Sequence, residues 1–253
     1  MKIVADHKIP YLKGVLEPYA EMVYKPGLQI SNEDVKDADA LIVRTRTKCN
    51  EELLKGSPVK FIATATIGFD HIDQEYCKKN NIKWTNAPGC NAGSVLQYIA
   101  SVLATLKRSL PDKPTIGIVG VGNVGSRVEK LARILDMQVL LNDPPRERNE
   151  GGNQWSSFKE TLENADIITF HVPLNYKGKD KTHHMVNRNV LGRISSNAIL
   201  INTSRGEVVN NADLKKALKK NEINAAVLDV WENEPDIDQQ LLNRVELGTP
   251  HIA

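Results

Sequence analysis

Three stretches of the sequence place a charged or titratable side chain directly after an apolar segment. Arg205 lies in NTSRGEVV, Glu234 in LDVWENEP and His251 in TPHIA. A histidine titrates near neutrality and can take up a hydroxyl proton, while a carboxylate on its other ring nitrogen fixes the tautomer. An arginine fork binds a carboxylate through two parallel hydrogen bonds. These three residues fit the roles that hydride transfer from a secondary alcohol with a neighbouring carboxylate would require.

Each of these residues also has an ordinary interpretation when it is taken alone. Arg205 could form a surface ion pair, Glu234 could be a turn residue before Pro235, and histidines in turns are common. The three positions nevertheless share one property, which is that each of them follows a predicted strand. In an open α/β sheet the ligand crevice lies outside the carboxyl ends of the strands, so we expect the three side chains to converge there.

A glycine-rich turn supplies the second chemical signal. GIVGVGNVG contains Gly120, Gly122 and Gly125 in G-x-G-x-x-G spacing, between a predicted strand at 115–119 and a helix. In such a turn the first glycine permits the tight bend, the second lets a pyrophosphate approach the backbone, and the third allows close packing of the helix on the strand. The anion then lies at the helix N-terminus. We predict a dinucleotide site that also includes Asn123 and Val124.

The next strand ends in an acidic residue, as that site requires. Asp143 closes QVLLND, eighteen residues past Gly125, where a carboxylate would accept hydrogen bonds from the hydroxyls of the adenosine ribose. Such a carboxylate repels a 2′-phosphate and favours NAD over NADP. Arg146 and Arg148 follow closely and could reverse this preference by neutralising a phosphate.

The elements that must hold these residues follow from the alternation of apolar runs and helical patterns. Continuous apolar strands separated by helices are typical of parallel sheets covered on both faces. We expect an α/β fold with two lobes: a flavodoxin-like substrate lobe at 1–90, and a Rossmann doubly wound parallel sheet of six strands at 91–253 that includes a crossover helix at 93–109. A helix is also expected within 11–22, and a flexible loop at 146–154.

Composition excludes several other classes of protein. The 253 residues carry a formal net charge of +2, which gives no reason to expect a nucleic-acid or membrane surface. No apolar run approaches the ~18 residues of a membrane span, and the N-terminus reads as a strand instead of a signal peptide. Three cysteines without metal-ligand spacing suit a reducing cytoplasm. We predict a cytoplasmic protein without a metal site, and we interpret His171 as structural and His183 and His184 as surface or capping residues.

The glycine turn, Asp143, Arg205, Glu234 and His251, in that order, resemble the D-isomer-specific 2-hydroxyacid dehydrogenases, and the resemblance extends over the whole chain. It implies a substrate lobe followed by a coenzyme lobe, with NAD as the cofactor. The segments APGCNA and NDPPR resemble one subgroup of the family in particular, and they imply a small phosphorylated 2-hydroxy acid as the substrate.

The resemblance also assigns roles to individual residues. It makes Arg205 and Glu234 active-site residues and His251 the proton donor or acceptor. The positions that match the family's cofactor contacts are Asp143, Val172, Thr203, Ser204 and Asp229, and those that match its substrate contacts are Thr45 and Thr66. From their charge, Arg44 and Arg46, with Lys48 beside them, could bind a substrate phosphate, although Arg46 and Lys48 could equally form a solvated basic edge.

The sequence departs from the family after His251. Members continue with a helix that returns to the first lobe, and the subgroup adds a dimerisation domain; both lie outside the sequence. We therefore expect part of a longer protein that forms a homodimer. If the chain ended at Ala253, the histidine would lie on an unanchored terminus and activity would be weak, because ordering the base costs entropy.

Two alternatives remain open from the sequence. The substrate could be another acid, such as 3-phosphoglycerate, glyoxylate, hydroxypyruvate or D-lactate. The protein could also be an NAD-sensing binding protein like the corepressors of the family, in which partner binding matters more than turnover. The basic residues at 44–48 argue against both.

Overall fold

The computed structural model describes all 253 residues and divides into two compact units, Met1–Asn91 and Ala92–Ala253. Each unit contains its own parallel β-sheet with helices packed against it. None of the helices combines the length and the apolar composition needed to cross a bilayer.

The first unit has a five-stranded sheet in the order β2-β1-β3-β4-β5, with all neighbours parallel. The strands are β1 (Lys2–Asp6), β2 (Glu21–Lys25), β3 (Ala40–Val43), β4 (Phe61–Thr64) and β5 (Lys83–Thr85). The helices are α1 (Asn32–Val35), α2 (Glu51–Leu54) and α3 (Gln74–Lys79). This strand order is that of flavodoxin, as the sequence predicts for the first lobe.

The helix expected within 11–22 is absent, and this prediction is wrong. Residues 7–20 form a series of turns, and Glu21–Lys25 is the edge strand β2. Gly14 has a φ of +91°, which lies outside the helical region, and Pro18 has no N–H to donate. The apolar residues Met22 and Val23 pair with β1 instead.

The second unit begins with a long helix and continues with alternating strands and helices. Its strands are β6 (Thr115–Val119), β7 (Gln138–Asn142), β8 (Ile167–Phe170), β9 (Ile199–Asn202), β10 (Ala225–Leu228) and β11 (Leu247–Gly248). Its helices are α4 (Ala92–Leu106), α5 (Gly125–Ile134), α6 (Pro144–Glu150), α7 (Phe158–Asn164), α8 (Arg188–Leu191), α9 (Asn211–Lys219) and α10 (Gln239–Leu242). Short 3₁₀ turns lie at Lys107–Ser109 and Gly206–Val208.

The six strands are parallel in the order β7-β6-β8-β9-β10-β11. Trp155 extends this sheet through a one-residue parallel bridge to Leu141 of β7. When Trp155 is counted as a rudimentary strand, the first six strands in chain order take the spatial order 3-2-1-4-5-6 of a doubly wound dinucleotide-binding sheet, and β11 adds a seventh at the edge. The predicted two-lobed α/β fold is confirmed.

The central strands of this sheet are buried on both faces, which is why they read as continuous apolar runs. In β9, Ile199 and Ile201 contact the cluster under α4 and α5, while Leu200 contacts the cluster on the opposite face. All three are at most 1% exposed. Burial of one such side chain stabilises the fold by about 1.5–3 kcal/mol. The rigid sheet therefore fixes where each strand-end residue emerges.

The prediction of a flexible loop at 146–154 is also wrong for residues 146–150, because helix α6 covers Pro144–Glu150. Asp143 caps this helix by accepting the backbone N–H of Arg146, and two prolines occupy its first positions. Arg146 and Glu150 form an i,i+4 ion pair on its surface. The turn residues Gly151 and Gly152 follow directly.

Candidate active site

The three glycines of the β6–α5 turn have three different surroundings. Gly120 has a φ of +89°, and a Cβ there would lie 2.6 Å from the carbonyl oxygen of His171. A Cβ on Gly125 would lie 2.0 Å from the carbonyl oxygen of Gly120, so only glycine allows this approach of α5. A Cβ on Gly122 would meet no atom within 4 Å. The turn therefore leaves open backbone at Gly122, where a pyrophosphate would need it.

Asp143 connects this turn to the next strand. One carboxylate oxygen accepts the N–H of Val121 at 2.8 Å, and the other accepts the N–H of Arg146 at 3.0 Å. Each oxygen keeps a second lone pair for a ribose hydroxyl. Asp143 therefore braces the glycine turn before any ligand binds, a role that its acidic side chain alone does not reveal.

The two arginines behind Asp143 are both held by acidic partners. Arg146 pairs with Glu150 through two hydrogen bonds of 2.7 and 2.9 Å and donates to the carbonyl oxygen of Val121. Its guanidinium also lies over the ring of Trp155. Arg148 pairs with Asp180 at 2.5 Å. Their positive charges are thus partly neutralised within the protein.

The other predicted cofactor residues lie at the carboxyl ends of the strands. Asn123 is exposed at the glycine turn and Val124 is half-buried beside it, while Val172 packs against Gly120 after β8. Thr203 follows β9, and its hydroxyl lies 3.4 Å from Nδ1 of His171. Val172 and Thr203 thus follow β8 and β9 at the same end of the sheet as the glycine turn that follows β6. A nicotinamide dinucleotide fits this donor set.

Arg205 follows Thr203 in a turn that a buried asparagine organises. The side chain of Asn202 accepts the N–H and the hydroxyl of Ser204 and donates to the carbonyl oxygen of Arg205 at 2.9 Å. Asn202 is fully buried at the end of β9. Ser204 is therefore engaged in the turn, and its contact with a cofactor stays a prediction. Sequence reasoning did not identify Asn202, although a polar residue that ends an apolar strand is a usable signal.

His251 and Glu234 are brought together. Nδ1 of His251 lies 2.8 Å from Oε2 of Glu234, and Oε1 of Glu234 accepts the N–H of Trp231 at 2.8 Å. The carboxylate is thus fixed from one side by the backbone and binds the imidazole on the other. Because Nδ1 is occupied, Nε2 is the nitrogen available for a substrate proton. The two side chains are 42% and 34% exposed.

The surrounding charges shift both groups. The hydrogen bond to Glu234 raises the pKa of His251, while partial desolvation and the positive charge of Arg205 oppose this shift. Desolvation acts to raise the pKa of Glu234, but the hydrogen bonds from His251 and Trp231 and the charge of Arg205 outweigh it, so that this pKa is lowered. Arg205 therefore lies close enough to act on both, and the three predicted catalytic residues converge.

Hydrogen bonds hold the backbone of His251, so the prediction that this histidine lies on an unanchored terminus is wrong. Its N–H donates to the carbonyl oxygen of Asp229 at 2.7 Å. The buried carboxylate of Asp229 accepts the hydroxyl of Thr249 at 2.7 Å and the N–H groups of Ile252 and Ala253 at 2.8 and 3.0 Å. Asp229 was predicted only as a cofactor contact, and its role in anchoring this segment was missed.

The substrate residues predicted in the first unit lie at the carboxyl ends of β3 and β4. Thr66 donates to the carbonyl oxygen of Gly68 at 2.9 Å and lies 2.7 Å from the hydroxyl of Thr64. Thr45 and Lys48 line a shallow pocket of about 290 Å³ together with Asp70. Arg44 makes a weak bond to the carbonyl oxygen of Lys8, and Arg46 is exposed. Basic and acidic groups alternate along this edge.

The remaining histidines do not form a metal site, since no cluster of three potential ligands exists. Burial lowers the pKa of His171 to about 3, so its ring is neutral between Thr169 and Thr203. His183 stacks on His184 with ring centroids 4.0 Å apart. His184 also binds Glu232, a pairing that sequence reasoning missed.

Known proteins resemble this chain in sequence and in structure. Residues 102–253 match the family described as D-isomer specific 2-hydroxyacid dehydrogenase, NAD binding domain. The whole chain is 55% identical to the erythronate-4-phosphate dehydrogenase of Bacteroides thetaiotaomicron, of which it covers 74%. It is 46% identical to the enzyme of the same name in Proteus mirabilis, of which it covers 68%.

Two solved structures share the fold. D-lactate dehydrogenase from Aquifex aeolicus, complexed with NAD and lactic acid, has a TM-score of 0.80 at 26% identity, with 100% of this chain and 88% of that chain covered. The NAD⁺-bound 3-phosphoglycerate dehydrogenase of Entamoeba histolytica has a TM-score of 0.83 at 25% identity, with 99% and 86% covered.

Proposed function

Because the chain belongs to the D-isomer specific 2-hydroxyacid dehydrogenases, we propose that it oxidises 4-phospho-D-erythronate to (R)-3-hydroxy-2-oxo-4-phosphooxybutanoate. The protein is an NAD-dependent oxidoreductase. The names of the relatives in two bacterial genera support the substrate, and with it a role in vitamin B6 synthesis.

The observation that carries this proposal is the bond of 2.8 Å between His251 and Glu234 beside the charge of Arg205. Nε2 of His251 takes up the proton of the substrate hydroxyl. Glu234 holds the ring in the required tautomer and stabilises the imidazolium that forms. Arg205 binds the substrate carboxylate, and its fork orients the carbon that is oxidised.

The cofactor supplies the acceptor for the hydride when it is bound. We assign its pyrophosphate to the open backbone at Gly122 and the N-terminus of α5 at Gly125, and its adenosine ribose to Asp143. Val172 contributes packing and Thr203 contributes a hydroxyl group. Backbone or polar contacts come from Asn123, Val124 and Ser204. Asp229 contributes through the segment that it anchors.

The strand ends of the first unit, taken by themselves, offer groups of the kinds that bind a phosphate or a carboxylate, and we propose them as substrate contacts. Arg44 and Arg46 supply positive charge, and Thr45 and Thr66 supply hydroxyl groups. The acidic residue Asp70 near Thr45 would repel a phosphate, so that Arg44 and Arg46 are the stronger candidates. We also propose that the protein forms a homodimer and that it lies in the cytoplasm. Its three free cysteines suit a reducing compartment of that kind.

A panel of acids tests this proposal. NADH formation is followed at 340 nm with 4-phospho-D-erythronate, D-erythronate, 3-phosphoglycerate and D-lactate, and in the reverse direction with glyoxylate and hydroxypyruvate. We expect turnover of phosphoerythronate at least tenfold above the others, and a large but measurable decrease of it in Arg205→Ala and His251→Ala. Equal turnover of the unphosphorylated acid would overturn the assigned phosphate contacts, and no turnover of any acid would favour a binding protein.

A further inference from the structure

The carboxylate of a second imidazole–carboxylate pair lies in the same loop as Glu234. Nε2 of His184 binds Oε1 of Glu232, and Oε2 of Glu232 accepts the N–H of Asn211 at 2.9 Å. Glu232 stands two residues before Glu234, in the segment WENEP. The catalytic chemistry described above makes no use of this pair.

His184 is also bonded to the turn that carries Arg205. Its N–H donates to the carbonyl oxygen of Glu207 at 2.7 Å, and the N–H of Val186 donates to that of Val208 at 3.1 Å. His184 has a φ of +51°, in the left-handed region that side chains rarely adopt. The hydrogen bonds of His184 hold its backbone in this region, which indicates that the surrounding structure requires this conformation.

The Arg205 turn and the Glu234 loop are in direct contact. A Cβ on Gly206 would lie 2.0 Å from the carbonyl group of Trp231 and 2.5 Å from the nitrogen of Glu232. Only glycine permits this approach. The segments that present Arg205 and Glu234 thus meet at Gly206, and the His184–Glu232 pair joins them a second time.

We propose that His184 and Glu232 are positioning residues that keep the Arg205 turn and the Glu234 loop in register, so that Glu234 remains bonded to His251. This inference rests on the proposed chemistry of His251. The bond from Trp231 to Glu234 and the contact at Gly206 do not depend on the pair, so its loss leaves the loop folded but less well fixed. A displacement of about 1 Å at a catalytic group can cost about 10²-fold in rate.

Four variants test the pair. Glu232→Ala and His184→Gln remove it, and Glu232→Gln keeps only one of its two acceptors, because the amide has a single oxygen for either the N–H of Asn211 or His184. His183→Gln is the control for the stacking contact, because it removes the imidazole that stacks on His184 and leaves both members of the His184–Glu232 pair in place. None of these changes alters Glu234, Arg205 or Asp229, the charged groups that act on His251.

Two readouts separate positioning from stability. The first is the titration of the His251 imidazole by NMR, with its resonance assigned through its loss in His251→Gln. The second is kcat at saturating NAD and acid. We expect Glu232→Ala and His184→Gln to lower the titration midpoint of His251 by about half a pH unit and kcat by about tenfold, with NAD affinity unchanged within about twofold. Glu232→Gln should give values between those of Glu232→Ala and the wild type, and His183→Gln should match the wild type.

A purely structural pair would give a different result. If Glu232→Ala lowers the melting temperature while the titration of His251 and kcat of the folded protein stay at wild-type values, the proposal is wrong. If the wild type turns over none of the acids, the proposed function fails, but the NMR titration still decides whether the pair positions Glu234.

Discussion

Nδ1 of His251 and Oε2 of Glu234 lie 2.8 Å apart, and Glu234 is held in turn by the backbone of Trp231. The orienting carboxylate therefore has a fixed partner on each side. Arg205 acts on both groups, and its charge lowers the pKa of each. The proposed roles of proton acceptor, orienter and carboxylate-binding group depend on this arrangement of three side chains.

Replacement of Arg205 by lysine should weaken binding of the acid. Lysine keeps the charge but lacks the planar fork, and bonds to charged groups contribute about 1.5–3 kcal/mol each. We expect kcat/KM for the acid to fall about 10- to 100-fold while the Kd for NAD stays constant. Steady-state kinetics and calorimetry measure the two quantities. A loss that appears only in NAD affinity would contradict the assignment of Arg205 to the substrate.

Arg205→Ala should also move the pH profile in a defined direction. The guanidinium lowers the pKa of His251, so its removal raises that pKa. Oxidation requires a neutral imidazole, and the acid limb of kcat/KM should therefore shift to higher pH. An acid limb that moves to lower pH would indicate that Arg205 does not face His251.

Asp229→Asn should destabilise the segment that carries His251. One of the two carboxylate oxygens becomes an NH₂ group, so that either the N–H of Ala253, or the hydroxyl of Thr249 and the N–H of Ile252, loses its acceptor. A buried donor without a partner costs about 1–3 kcal/mol. We expect the free energy of unfolding to fall by about that amount, measured by denaturant titration, and amide exchange at Ile252 to accelerate. An unchanged exchange rate would argue against the anchoring role.

The coenzyme preference should depend on Glu150 as well as on Asp143. Glu150 binds Arg146, which would otherwise be available to a 2′-phosphate. We expect Asp143→Ser combined with Glu150→Gln to lower the ratio of kcat/KM for NAD to that for NADP by at least 10²-fold, and Asp143→Ser alone to lower it less. Both single variants serve as controls. Identical ratios in Asp143→Ser and the double variant would show that Arg146 is not restrained by Glu150.

Much of the fold could be predicted from the sequence, because buried parallel strands leave an unbroken apolar signal. β8 and β9 read as strands since both of their faces are covered. β2 was missed because it is an edge strand with mixed polarity. The apolar residues within 11–22 follow a helical pattern in the sequence although Gly14 and Pro18 interrupt it, and this pattern led to the wrong prediction of a helix. Helix α6 was missed because its residues are all polar or proline, and the Asp143 cap stabilises it instead.

The candidate site could be predicted where the residue type itself determines the chemistry, as for His251 and Arg205. Asp229, Asn202 and the His184–Glu232 pair were missed as supporting groups, since their partners are backbone atoms or residues distant in sequence. Such contacts depend on how loops meet at the end of the sheet. The periodicity of apolar residues along the sequence contains no information about these contacts between loops.

The pH dependence of kcat/KM in the wild type and in Glu234→Gln tests the central claim most directly. Glu234 raises the pKa of His251, so that the acid limb of the wild type should lie above the pKa of an unperturbed histidine. Glutamine removes the charge, and we expect the limb to move to lower pH with a plateau about 10²-fold lower. A variant with the wild-type limb and the wild-type plateau would contradict the assignment of His251 as the base and Glu234 as its orienter.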